Sequence, residues 1–214
     1  MYLDRYLKIP YFIFVLEKVG NYNLNQIRRE AINNKRKNFC AAVISNNLGF
    51  TYFRMNFINE LNKYKKIDMG GRAFNNIGKI VDDKIQFLSS YKFSLAMENS
   101  EGDGYITEKI IDSFISGTIP IYYGDYMVDE YINPKSFILI KGEKDIPKKI
   151  EYIKKIDGND MLYHKILREN IFNENYKKII SENFKEKIQF LKNIFVHKKM
   201  KNKIINWSSF SQYI

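Results

Sequence analysis

The chain has 214 residues, 45% of them hydrophobic and 15% aromatic, a composition that supports a globular core and argues against disorder as the default state. Thirty-five basic residues against 24 acidic ones give a net charge of +11, which favours an anionic partner such as a phosphorylated substrate or a lipid surface. Lysine far outnumbers arginine and no nucleic-acid-reading motif is present, which argues against nucleic acid.

The opening MYLDRYLKIP lacks the regions of a signal peptide and no apolar run is long enough for a spanning helix, so the expected location is cytoplasmic. Cys40, the single cysteine, lies in the apolar run FCAAVIS. It is read as a core residue, and no disulfide can form within this sequence.

In chain order, NFCAAVIS (38–45) is a short β-branched apolar run, followed by turn residues and then by TYFRMNFINELNKY with helical periodicity. KKIDMGG reads as a second short strand ending in a glycine turn. DDKIQFLSSY reads as a short helix leading into KFSLAMEN (92–99), a further strand. YITEKIIDSFISG is a helix closed by Gly117, TIPIYYG a strand, and YINPKSFILI another. Strands alternating with helices predict an α/β fold, a Rossmann-like parallel sheet with flanking helices, whose ligands bind at the carboxyl ends of strands. After Pro147, the segments KKIEYIKK, NYKKII and HKKMKNK read as basic amphipathic helices.

ENSEGDGYITEKI (98–110) lies at such a strand end. Helical spacing from Tyr105 gathers Tyr105, Glu108, Lys109 and Asp112 on one side and Ile106, Ile110, Phe114 and Ile115 on the other. A phenol, a carboxylate and an ammonium group beside a glycine turn at a helix start suit an anion and a sugar. An ordinary polar helix face accounts for the same pattern.

The stretch YKFSLAMENSEGDGYITEKIIDSFISGTIPIYYG closely resembles the donor-binding signature of the α-1,3-fucosyltransferases, glycosyltransferase family 10. The family pattern runs from YKF-x-L through F-E-N-S/T and a glycine turn to Y-V/I-T-E-K, a helix and a proline strand ending Y-W/Y-G. Met97 and Tyr123 depart from it, standing where phenylalanine and tryptophan are usual. The likeness extends from near residue 4 to about 140 and weakens thereafter.

The resemblance implies the C-terminal half of a GT-B glycosyltransferase that transfers L-fucose from GDP-L-fucose to a glycan hydroxyl with inversion. Residues 37–172 would be the GDP-fucose-binding domain, 1–36 the end of the acceptor domain and linker, and 173–214 basic amphipathic helices. Donor contacts would come from Arg54, Glu98, Asn99, Tyr105, Glu108 and Lys109. Arg54 and Lys109 would contact the pyrophosphate and assist the leaving group, Glu108 would hold the ribose, and Glu98 would touch fucose. Gly70, Gly71 and Arg72 in MGGRAFNNIG are weaker candidates for the donor side of the cleft.

No cofactor is implied: Asp-x-Asp is absent, and His164 and His197 lie far apart among lysines. Family members carry an N-terminal acceptor domain that supplies the general base. It is almost absent from this sequence, and neither Glu17 nor Glu30 is marked as that base.

The expected partners are GDP-L-fucose, a surface-glycan or lipopolysaccharide acceptor, and an anionic membrane surface reached through the C-terminal helices, where Trp207 and Phe210 follow a basic run. That would place the protein peripherally on the inner membrane face. The alternatives are a GDP-sugar-binding fragment without turnover and a basic membrane-surface-binding protein.

Overall fold

The computed structural model describes residues 12, 15, 23–34, 36, 38–46, 51–100, 102, 104–174 and 176. All of these lie in the first of two compact units, Met1–Tyr176, the second being Lys177–Ile214. Glu17, His197, Trp207, Phe210 and most of the 173–214 segment fall outside the described residues.

Five parallel strands form one sheet: β1 Asn38–Ala42, β2 Ile67–Met69, β3 Tyr91–Met97, β4 Ile119–Tyr123 and β5 Ile138–Leu139. Their order is β2-β1-β3-β4-β5. Helices cover the sheet, which is why β3 and β4 are nearly all buried rather than alternating. From β1 the chain moves outward to β2 and then returns to build β3 on the other side of β1. The β1–β3 seam is thus the point where the winding reverses, the place at whose carboxyl end such sheets bind ligands.

The helices are α1 Leu24–Asn33, α2 Thr51–Asn62, α3 Lys84–Leu88, α4 Glu108–Ile115, α5 Ile146–Asp157 and α6 Asp160–Arg168. Phe57, Ile58 and Leu61 of α2 meet Phe93, Ile119 and Ile121 of the sheet in one core. In α5, Ile146, Ile150, Ile153 and Ile156 recur at helical spacing and are buried in the same core. The apolar stripe of KKIEYIKK is therefore spent on the fold, with Lys148 and Lys155 exposed on its other side.

Helix α1, which the sequence reading placed in a leading segment, is built into this unit. Arg28 is wholly buried and donates from Nη2 to the carbonyls of Ser136 at 2.9 Å and Ile166 at 3.0 Å.

Helix α4 departs from the expected pattern at its start. It begins at Glu108, capped by Thr107, so Tyr105 lies in the preceding loop and not on the helix face. The buried apolar residues of α4 are Ile110, Ile111 and Phe114, with Ile115 only half-buried, because the frame starts at Glu108. Its end is as expected. Gly117 has φ +68°, its N–H donates to the Phe114 carbonyl and the Thr118 N–H to that of Ser113, a Schellman closure. YINPKSFILI contributes only a two-residue strand, the rest turning through Asn133–Ser136.

Beneath α4 the β3–β4 pair holds one polar contact. Ser94 Oγ and Thr118 Oγ1, both fully buried, lie 2.5 Å apart, and Thr118 Oγ1 also donates to the Ser113 carbonyl.

Candidate functional site

At the carboxyl end of the β1–β3 seam, α2 places Arg54 between the two loops with only 1% of its surface exposed. Arg54 Nη1 donates to Asn99 Oδ1 at 2.8 Å and Nη2 to the Asn46 carbonyl at 3.3 Å. One guanidinium thus spans the loops that leave β3 and β1. Burial lowers the Arg54 pKa, and the Glu98 charge opposes that shift.

Next to Asn99, the Glu98 side chain is fully buried at the end of β3. Its carboxylate accepts from the Thr107 backbone N–H at 2.8 Å, the Thr107 hydroxyl at 2.8 Å and Lys109 Nζ at 2.9 Å. Burial pushes the Glu98 carboxyl up, and Lys109 and Thr107 only partly offset it. For Lys109, burial acts downward, but Glu98 and Glu108 together outweigh it and hold the ammonium above its ordinary range. The two directions are compatible: Glu98 is wholly desolvated, whereas the Lys109 side chain is 20% exposed and answers two carboxylates.

Glu108 is the first residue of α4, its side chain 38% exposed and its carboxylate 3.6 Å from Lys109 Nζ. Burial works against its charge, yet Lys109, its own backbone N–H and Lys84 keep its pKa low. Lys84 itself bonds Asp112 at 2.7 Å.

The loop ahead of α4 is held from β4. Asp125, 2% exposed, accepts the Gly104 N–H at 2.5 Å through Oδ2 and the Met127 N–H at 2.9 Å through Oδ1. Gly104 has φ +80°, a conformation that favours glycine. Tyr105 leaves this loop with its ring partly exposed. A cavity of about 360 Å³ opens beside it, lined by Gly102, Tyr123, Gly124, Asp125, Tyr126 and Lys141.

Four of the six expected contact residues, Asn99, Tyr105, Glu108 and Lys109, therefore lie along the carboxyl rim with exposed surface, while Arg54 and Glu98 are buried beneath it. Of the weaker candidates, Arg72 is exposed, and Gly70 and Gly71 serve packing. A Cβ on Gly71 would collide with the Ile44 backbone, and the Gly70 N–H donates to the Ala42 carbonyl. Sequence reasoning missed Thr107, Asp125 and Gly124. The T-E-K order marks Thr107 as a helix cap, but nothing local to Asp125 signals that it clamps an earlier loop. Among the described residues no three His, Cys, Asp or Glu side chains group as metal ligands.

The family model "Glycosyltransferase family 10 (fucosyltransferase) C-term" matches residues 32–207. The chain belongs to glycosyltransferase family 10. The match runs well past residue 140, where the legible resemblance faded.

This family 10 chain is 34% identical over 198 residues to the alpha-(1,3)-fucosyltransferase FucT of Helicobacter pylori, covering 79% of this chain and 41% of that protein. It is 35% identical over 134 residues to the bovine (Bos taurus) 4-galactosyl-N-acetylglucosaminide 3-alpha-L-fucosyltransferase 9, covering 61% of this chain and 36% of that one. A crystal structure of an alpha1,3-fucosyltransferase with GDP-fucose superposes with a TM-score of 0.64 at 35% identity, over 81% of this chain and 50% of that one. Another with GDP gives a TM-score of 0.67. The chain thus spans about half, or less, of the proteins that it resembles, and the sheet with its flanking helices corresponds to part of a GT-B fucosyltransferase.

Proposed function

We propose that this chain is the donor-binding half of an α-1,3-fucosyltransferase, taking GDP-L-fucose and delivering L-fucose to a hydroxyl of a glycan acceptor. The observation that carries the reading is the placement of the bonded Arg54 and Asn99 at the carboxyl end of the β1–β3 seam, with Glu108 and Lys109 at the first turn of α4. A nucleoside diphosphate offers complementary chemistry. Its phosphates would take Arg54 and Lys109 as charge-assisted donors, and its ribose hydroxyls would donate to Glu108. Tyr105 and Asn99 would border the donor. As the bond to fucose breaks, charge grows on the leaving diphosphate, and fixed cations in a partly desolvated crevice stabilise it without reorganising.

A general base for the acceptor hydroxyl has no assignment here. Glu30, the one described carboxylate of the leading segment, is exposed on α1 and accepts from Gln26. Transfer requires such a base within reach of the acceptor hydroxyl, whereas donor binding does not.

Calorimetric titration of the 214-residue chain with GDP-L-fucose, with GDP-mannose for comparison and acceptor-free hydrolysis followed in the same sample, tests the reading. Saturable binding that prefers GDP-L-fucose is expected. Absence of binding to either nucleotide sugar would reject the donor site.

A further inference from the structure

Glu98 presents a chemical puzzle. The Glu98 carboxylate has no exposed surface, and burying a charge is costly unless it is paired. Its partners answer the puzzle. The Thr107 N–H and hydroxyl both donate to it, at 2.8 Å each, and Lys109 Nζ donates at 2.9 Å. Thr107 Oγ1, having given its proton to Glu98, stands 3.1 Å from Lys109 Nζ as an acceptor.

An ammonium group has three N–H donors. Two have acceptors in Glu98 and Thr107, and Glu108 at 3.6 Å is an ion-pair neighbour beyond hydrogen-bond reach. One donor is left on the accessible part of the side chain.

We propose that Glu98 is a positioning residue: together with Thr107 it tethers the Lys109 ammonium at the start of α4 and leaves one N–H for the donor phosphate. This rests on the donor reading of Lys109 given above. It replaces the expectation that Glu98 contacts fucose directly.

Gly124 belongs to the same device. A Cβ there would stand 2.6 Å from Glu98 Cγ, so the glycine that ends the β4 segment makes room for the buried carboxylate.

Removing the Glu98 charge alters the titration of Lys109 as well as its position. The charged and titratable groups about the ammonium are Glu98 at the end of β3, Glu108 and Asp112 of α4, and Tyr105 in the loop. Arg54 of α2 also feels the Glu98 charge, and Lys84 of α3 is paired with Asp112. With Glu98 neutral, burial is opposed chiefly by Glu108, so Lys109 releases its proton at a lower pH.

The test uses the full chain with GDP as the probe, in wild type, Glu98→Gln, Lys109→Met and the double variant, each titrated from neutral to alkaline pH. Glu98→Gln is expected to weaken GDP binding about tenfold at pH 7, the scale of a charge-assisted hydrogen bond. Its affinity should also fall away at a lower pH than that of wild type. In the Lys109→Met background, Glu98→Gln should cost no further GDP affinity, because its effect passes through the ammonium.

If Glu98→Gln alone does not fold, the melting temperatures decide. The double variant should melt above Lys109→Met, which leaves a buried carboxylate without its cation. A full additional loss of GDP affinity in the double variant, or a double variant no more stable than Lys109→Met, overturns the positioning role while leaving the donor site standing. Failure of the wild-type chain to bind GDP overturns both.

Discussion

Replacing Gly124 with alanine is the sharpest test of how closely the site is packed. Gly124 does not have positive φ, so backbone strain is not what selects glycine there. The added methyl would meet Glu98 Cγ and the Tyr122 hydroxyl, each at 2.6 Å. Neither can retreat easily: Tyr122 is fully buried, and the Glu98 carboxylate is held by Thr107 and Lys109. Overpacking of this kind costs about 1–3 kcal/mol. For a unit of this size each kcal/mol lowers the melting temperature by about 2–4 °C, so a loss of about 4–8 °C is expected for a cost of about 2 kcal/mol. Gly158→Ala is the control. There the nearest atom is the Lys154 carbonyl oxygen at 3.5 Å, an ordinary contact, and the change should stay within about 0.5 kcal/mol. Melting followed by circular dichroism, with GDP titration of the same samples, reads both arms. If Gly124→Ala melts within a degree or so of wild type and binds GDP equally well, the argument that Glu98 is immobile fails.

Arg54→Met should weaken GDP binding about tenfold or more through loss of a charge-assisted donor, and calorimetry giving wild-type affinity would remove Arg54 from the site. Asp157 is desolvated, yet Lys65, Lys92 and Tyr64 donate to it strongly enough to lower its pKa. A carboxylate lowered in this way contributes stability above its unfolded pKa, and the contribution is lost as the pH falls through the folded value. Asp157→Asn should therefore melt earlier at pH 7 and show a shallower loss of stability below about pH 4, and parallel acid profiles would refute the pairing. Burial and the neighbouring carboxylates Asp68 and Asp157 push the Cys40 thiol far up. It should resist alkylation in the native chain and react on unfolding, whereas rapid native labelling would show that β1 is open.

Much of the architecture was readable because parallel strands write themselves as uninterrupted apolar runs. FCAA, KFSLAM and TIPIYY have that form, and each yields a strand. Gly117 announced the end of α4 because a left-handed residue after a helix is a local requirement. The beginning of α4 was less legible. Tyr105 and Ile106 continue the helical spacing backwards, but the Asp125 bond to Gly104 and the Thr107 cap hold that segment as a loop.

The site residues were named through a motif, whereas their division of labour was not visible in it. Whether Glu98 faces a ligand or the interior depends on Gly124 and Thr107 closing over it, which is a property of the fold. The lysine-rich segment after Pro147 shows the same limit from the other side. Its isoleucine spacing fits a membrane face and a sheet-facing helix equally well, and only packing selects the latter for α5.

The Ser94–Thr118 contact bears on how the chain finds its register. Apart from Ser94 and Lys92, β3 offers β4 only apolar or aromatic neighbours, and a slip by two residues would keep every side chain on its own face. Greasy surfaces discriminate poorly between such arrangements. A slip that carries Thr118 away from Ser94 would seal the Ser94 hydroxyl in the interior without this partner, at about 1–3 kcal/mol, while Thr118 keeps the Ser113 carbonyl. The pair thus works as a proofreading mark against misalignment in that direction. A Thr118→Val chain would leave the Ser94 hydroxyl buried without that partner in either register, and so lose the means of rejecting the misaligned sheet.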